Sequence, residues 1–335
     1  MNGGEFGAAV HEMLTDVDVA GVAREWASGE LASGLALWRR LAGLGVTALA
    51  VPEKRGGLGA SPLDLVVACE ELGHHAVPGP VAESLAAVPV LLAGLDGMGG
   101  ERLAVRDGFG EWLAGLADGD LIATLAVPPG VPLAACAEVA GLVLLADDGV
   151  VSVGRPEGWY RSVDPGRSLA EVRGGAVVAE GAGGAVRRAM EFGTLACAAQ
   201  LLGAGRALLE ASVRYAGMRV QFGRPVGAFQ AVKHRLADEA IGLEFARPLL
   251  AAAAEALGAE APSAGAGTTA RDVSAAKVAC ADAAYRAARA ALQVHGAIGY
   301  TAEYELSRWL VQVRALVPAW GSPAEHRARV LRELG

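Results

Sequence analysis

Apolar residues recur along this chain with two different periods, and the change of period divides it in three. From about residue 10 to 118 the spacing is helical. Leu31, Leu35 and Trp38 fall at i, i+4 and i+7, and Leu37, Leu41 and Leu44 repeat the interval, which predicts one broad buried helix face before Gly45 stops it. Ser61-Pro62 reads as the cap and first-turn residue of a further helix through Glu70-Glu71-Leu72-Gly73. From about 119 to 184 short β-like runs separated by Gly, Pro and Asp take over, at Leu121 to Leu125, Gly141 to Leu145, Val150 to Val153 and Leu169 to Val172.

Beyond that point the helical period returns. Leu201, Leu202, Leu208 and Leu209 share one segment, and Phe229, Val232 and Leu236 form a stripe in the next, which Pro248 is expected to kink. The small-residue stretch from Gly258 to Thr269 reads as a loop before a third helix ending near Gly296, and a final helix follows Thr301. The expected fold is mainly α with a small β domain: an N-terminal helical domain over 1–118, a middle β domain over 119–184 and a C-terminal four-helix bundle over 185–335.

Composition narrows the class of partner. The 335 residues are 53% hydrophobic and 20% charged, with mean hydropathy +0.35, enough for a sizeable core. A net charge of −8 without a run of Lys or Arg argues against nucleic acid or an anionic membrane, so a phosphate-bearing ligand would need local arginines. Cys69, Cys136, Cys197 and Cys280 are far apart and form no C-x-x-C pair, which predicts buried free thiols in a reducing cytoplasm. The first ten residues have no basic or apolar leader region, and no run of 18 apolar residues occurs, so neither a signal peptide nor a membrane span is expected.

Two stretches carry the candidate chemistry. In Arg219-Val220-Gln221-Phe222-Gly223-Arg224-Pro225, followed by Phe229-Gln230, a glycine-proline corner between helices exposes cationic and amide groups that can hold a phosphate. About seventy residues on lies Gln293-Val294-His295-Gly296-Ala297-Ile298-Gly299-Tyr300-Thr301. Together they resemble the R-x-x-F-G-x-x-x-x-x-x-Q and Q-x-x-G-G-x-G-Y elements of the acyl-CoA dehydrogenase family, with Ala297 in place of the second glycine. The loop Gly56-Gly57-Leu58-Gly59 and Pro78-Gly79-Pro80 are similar to that family's N-terminal helical domain.

The resemblance implies FAD as cofactor and an acyl-CoA thioester as substrate, with α-proton removal by a carboxylate and hydride transfer to the flavin. Arg219, Gln221, Phe222, Gln230, Gln293 and Gly296 then correspond to flavin-contacting positions. The usual base position, counted on from Gln293, holds Trp320, followed by Gly321 and Ser322, and Ala324 stands where a flavin-contacting glutamine is usual. The alternative base position, counted back from Arg219, holds Gly193. Glu191 is two residues from it, about 200° round a helix. The β domain is about half the family's length and lacks its recognisable flavin-cradling elements, and Trp159-Tyr160 is expected to pack rather than to hold flavin.

In the family's homotetramers, the arginine corner and the Q-x-x-G-G-x-G element reach across to the flavin of a neighbouring subunit. Cradle and base belong to the subunit that holds the ring. This sequence keeps the first set and lacks the second, as do the short subunits of bacterial α2β2 acyl-CoA dehydrogenases, several of which act on steroid-derived CoA thioesters. The expected partner is therefore a longer, base-bearing subunit. Two alternatives stay open: a self-sufficient homomeric enzyme whose base has migrated, and a flavin-free interaction subunit.

Overall fold

A computed structural model describes residues 3–98, 108–259, 268–301 and 304–334. The helices α1 (Gly3–Thr15), α2 (Val19–Ser28), α3 (Ala32–Gly43), α4 (Pro62–His74), α5 (Val88–Asp96) and α6 (Gly108–Asp118) come first. A five-stranded sheet follows, made of β1 (Ala123–Ala126), β2 (Ala134–Ala135), β3 (Leu142–Asp147), β4 (Val150–Tyr160) and β5 (Leu169–Ala179). Its order is β1-β3-β4-β5-β2, with β1 and β3 parallel and the other pairs antiparallel. The chain then returns to helix in α7 (Gly183–Met218), turns through a ribbon of β6 (Val220–Gln221) and β7 (Arg224–Pro225), and ends in α8 (Gln230–Ala259), α9 (Thr268–His295), α10 (Leu306–Leu316) and α11 (Pro323–Leu334).

The centre is α7. From Glu191 to Gly205 every residue is buried, because α4, α5, α8, α9 and α10 pack around it. A helix apolar on all sides must be enclosed. Its most apolar window is long and hydrophobic enough to cross a bilayer, yet 89% of that window is buried inside this protein. Contact with α4 is backbone to backbone: a Cβ on Gly73 would lie 2.1 Å from the Gln200 carbonyl oxygen, and one on Gly203 would lie 1.8 Å from that of Glu70. Only glycine permits this approach.

Local signals explain several boundaries. Ser61 and Asp64 form a reciprocal capping box at the start of α4, with Pro62 in its first turn. In α3 the buried face is Gly34, Leu37, Trp38 and Leu41, and Trp38 Nε1 donates to the Pro78 carbonyl at 3.0 Å. All four cysteines are free and buried. Burial pushes the Cys69 and Cys280 thiols up to about 12, which makes them unreactive.

Two expectations need correction. The helix after Thr301 is two helices, because Trp320 and Gly321 take positive φ (59° and 94°) and Ser322 caps a new start with Glu325. Trp159 and Tyr160 do not pack into the protein: at 53% and 48% exposure they stand at the end of β4, where the Tyr160 hydroxyl donates to Glu171. Of the expected loop from Gly258 to Thr269, residues 260–267 lie outside the described residues, and its two ends are helical.

One buried lysine ties the bundle to the break between α10 and α11. Lys277 of α9 is fully buried and donates from Nζ to the carbonyls of Leu316 (2.8 Å) and Val317 (3.2 Å), the open C-terminal acceptors of α10. Replacing Lys277 by Met leaves those carbonyls without their partner and should lower stability by about 1–3 kcal/mol, read as a shift of the urea midpoint at constant slope.

Candidate functional site

The arginine stretch folds as a small ribbon rather than a plain helix-helix corner. Arg219 ends α7, its amide donating to the Tyr215 carbonyl at 2.9 Å, and the Val226 amide donates back to the Arg219 carbonyl at 2.8 Å. Between them Phe222 and Gly223 take φ of 55° and 77°, the left-handed pair that a two-residue hairpin turn requires. Arg219, Gln221, Phe222, Arg224 and Gln230 are all exposed, Phe222 at 91%. The Arg224 guanidinium lies over the Phe229 ring at 4.1 Å, which leaves Arg219 as the cation without an aromatic lid.

The second stretch lies at the same end of the bundle. His295, the last residue of α9, stacks on Tyr215, one turn before Arg219, with ring centroids 4.3 Å apart. Its Nδ1 donates to the Ala291 carbonyl at 2.8 Å, and burial pushes its pKa down, so it is a neutral spacer. Gly296 takes φ of 66° with open space around it and ends the helix there. Gln293 and Gly296 are exposed. The structure thus brings both stretches to one exposed bundle end.

The two positions where a base was sought meet each other in the interior. Trp320 is 2% exposed, and a Cβ on Gly193 would lie 2.2 Å from its ring. One indole therefore occupies the space between both positions. Its turn is fixed from several sides: His326 Nε2 donates to the Trp320 carbonyl at 2.9 Å, His326 Nδ1 pairs with Ser274 Oγ at 3.0 Å, and Lys277 holds the residues just before it. Burial also pushes the pKa of His326 down, which keeps it neutral. The carboxylates nearest these positions in sequence, Glu191 and Glu325, are both engaged. Glu191 is buried in an ion pair with Arg329 of α11, and both the amide and the hydroxyl of Ser322 donate to Glu325 at 2.7 Å.

Little room is left beside the indole. A cavity of about 20 Å³ remains, lined by Glu83, Arg167, Gln200, Gln312 and Leu316 among others, and Arg167 Nη2 crosses it to Glu83 at 3.2 Å. A cofactor-sized ligand needs about 300 Å³ or more. A larger cavity, about 250 Å³, lies between α2, the segment after α4 and α10, with Ala23, Ala27, Val77, Pro78 and Arg308 in its walls.

Sequence reasoning missed Lys277, Arg167, His326 and the Ser322–Glu325 cap. Only the cap had a legible signal, Ser-x-x-Glu after a glycine. The others are single polar residues whose partners are distant in sequence.

A helical front, a small sheet and a bundle of long helices with such an end define the three-part architecture of a flavoprotein-type dehydrogenase. Residues 181–335 match the C-terminal domain and residues 5–100 the N-terminal domain of acyl-CoA dehydrogenases. The chain is 30% identical over 306 residues to acyl-CoA dehydrogenase IpdE2 of Mycobacterium tuberculosis (strain ATCC 25618 / H37Rv), covering 89% of this chain and 85% of that protein. Among solved structures it is similar in fold to butyryl-CoA dehydrogenase from Megasphaera elsdenii (TM-score 0.81, 20% identity, 99% and 97% covered). The fold is also similar to that in the ChsE4-ChsE5 complex from Mycobacterium tuberculosis (TM-score 0.76, 24% identity, 99% and 96% covered). The chain belongs to the acyl-CoA dehydrogenase family.

The contact between Gly193 and Trp320 can be tested without activity. Gly193→Ala should destabilise the protein by about 1–3 kcal/mol through overpacking. Combined with Trp320→Leu, the same change should cost less than the two single changes summed, a coupling read from urea denaturation of the four proteins.

Proposed function

We propose that this chain is a base-lacking subunit of an FAD-dependent acyl-CoA dehydrogenase that completes the flavin site of a longer, base-bearing partner in an α2β2 assembly. The observation that carries the reading is the Trp320 indole against Gly193, which fills the interior where a ring-holding subunit needs both a carboxylate and space. The cavity of about 20 Å³ beside Trp320 is too small for an isoalloxazine ring. The exposed bundle end does fit a cofactor presented by another chain.

Each residue there has a physical role in this reading. Arg219 offers a planar fork of donors to pyrophosphate oxygens. Gln221, Gln230 and Gln293 add amide donors and acceptors, Phe222 an apolar face, and Gly296 a backbone that a ligand can approach without meeting a side chain. When bound, FAD supplies the hydride acceptor. Proton removal at the thioester α-carbon falls to the partner, because Glu191 is committed to Arg329 and no carboxylate replaces Trp320.

An apolar surface supports a protein partner. Ile241, Phe245 and Leu249 stand at i, i+4 and i+8 on α8 with 53%, 73% and 46% exposure, and Met218, Phe222 and Tyr300 are exposed at the bundle end. The neighbouring ChsE4-ChsE5 structure is itself a complex, and another neighbour of the same fold is the Tcur3481-Tcur3483 steroid acyl-CoA dehydrogenase. A steroid-derived or fatty acyl-CoA substrate follows by analogy. The four free thiols suit a cytoplasmic setting.

The test is co-purification with the partner. Arg219→Ala should lose most bound FAD while the helical signal and assembly remain, and an unchanged ratio of flavin to protein overturns the assignment. The wild-type α2β2 complex should hold two FAD, and the isolated chain should be colourless; four tightly held flavins, or a yellow and active isolated chain, would favour the homomeric reading. Glu191→Gln and Trp320→Phe should leave turnover within a few-fold of wild type, against the about 10²–10⁴-fold loss that removing a general base brings.

A further inference from the structure

Away from the bundle end and the sealed interior, three of the six histidines meet at one point. Glu71, His74 and His75 stand at i, i+3 and i+4 where α4 ends, so they share one side of that helix, and His11 comes from α1, which packs alongside. One ligand-type atom from each of the four lies within 4.8 Å of all the others. His11 Nδ1 is 2.7 Å from Glu71 Oε2 and 3.2 Å from His75 Nε2. The three imidazole centroids are 4.8, 5.0 and 5.2 Å apart.

Hydrogen bonds within the cluster do not satisfy it. His74 Nδ1 is buried without a partner, while its Nε2 faces Glu210 Oε2 at 3.0 Å. An outer carboxylate on one imidazole nitrogen fixes the tautomer and leaves the other nitrogen with a lone pair, the arrangement that supports a ligating histidine. Glu71 is oriented in the same manner, since Arg206 donates to its Oε1 at 3.0 Å and leaves Oε2 to the histidines. The backbone is held too, with Trp309 Nε1 donating to the His74 carbonyl at 2.8 Å. Three of the four side chains therefore sit on a braced helix end. The fourth, His11, is 45% exposed and is the one free to adjust.

We propose that His11, Glu71, His74 and His75 form a Zn²⁺ site that pins α1 to the end of α4. Three imidazoles and one carboxylate make a four-coordinate nitrogen and oxygen set that suits Zn²⁺, with no thiolate to favour a softer ion. Four protein ligands leave no open position, so the role is structural. The bound ion also fixes the chain just before Ala76, Val77 and Pro78, which form one wall of the 250 Å³ cavity.

The test uses the full chain, with its partner if it purifies only as a complex, after removal of metal by a chelator. Zn²⁺ titration against a fluorescent indicator should give one tight equivalent per chain and a higher melting temperature. Co²⁺ in its place should show the intense visible bands of a tetrahedral complex. His11→Ala, at a half-exposed position, should keep the helical signal yet lose well over the about 10-fold in affinity that even an outer-sphere change costs. His75→Gln should do the same, and His234→Ala, on the exposed face of α8, should leave binding unchanged. Uptake only at millimolar metal, or wild-type affinity in both His11→Ala and His75→Gln, overturns the site.

Discussion

The close approach of α4 to α7 is the constraint on which the rest of the molecule depends. With Gly73 against Gln200 and Gly203 against Glu70, the two backbones touch, and no side chain can be added without separating the helices. That separation sets the neighbours. Glu70 reaches Arg206 at 2.7 Å and Arg247 at 3.0 Å, so α4, α7 and α8 share one buried carboxylate. Glu71, one residue on, turns outward to Arg206 and the histidine cluster. Along α7, Gly193 in the enclosed stretch lies against Trp320 inside the protein, and the C-terminal end emerges as Arg219.

Those two places differ in how their polar side chains are paired. Around Trp320 several polar side chains are paired. Arg167 pairs with Glu83, Glu191 with Arg329, and His326 with the Trp320 carbonyl. Breaking any of these would leave a buried charge or donor without a partner, a cost of about 3–5 kcal/mol for an ion pair. At the outer end, by contrast, Arg219, Gln221 and Gln293 are exposed on an end that the stacked Tyr215 and His295 hold in shape. In the proposed reading this exposed end is where a cofactor from another chain would be received.

The sequence made the family and the order of helical and β segments legible because both rest on short-range patterns. Helical spacing, the Ser61-Pro62 cap and the two motif stretches are each contained within a dozen residues. The motif residues could be named for the same reason, but their shared bundle end depends on Tyr215 meeting His295 across eighty positions. What could not be read was long-range pairing. Gly193 and Trp320 were each identified as a base position without its base, and nothing in the sequence says that they touch. The contact of Glu71 and His75 with His11, sixty or more residues earlier, is of the same long-range kind.

The choice of tryptophan is itself informative. Replacing a catalytic carboxylate with a small residue would remove the base and leave a void, and an empty apolar cavity costs about 24 cal/mol per Å³, so even about 100 Å³ would cost about 2.4 kcal/mol. Water could fill such a void only if polar groups lined it. An indole avoids both problems: it supplies volume, and Gly193 on the facing helix leaves room for the ring to lie flat against backbone. The complementarity runs both ways, since glycine in the middle of a helix costs about 1 kcal/mol relative to alanine and is stable here because the ring fills the space beside it. Two positions that separately show only a missing carboxylate together form one packed contact, and in the proposed reading that contact makes the interior a core that supports the exposed bundle end.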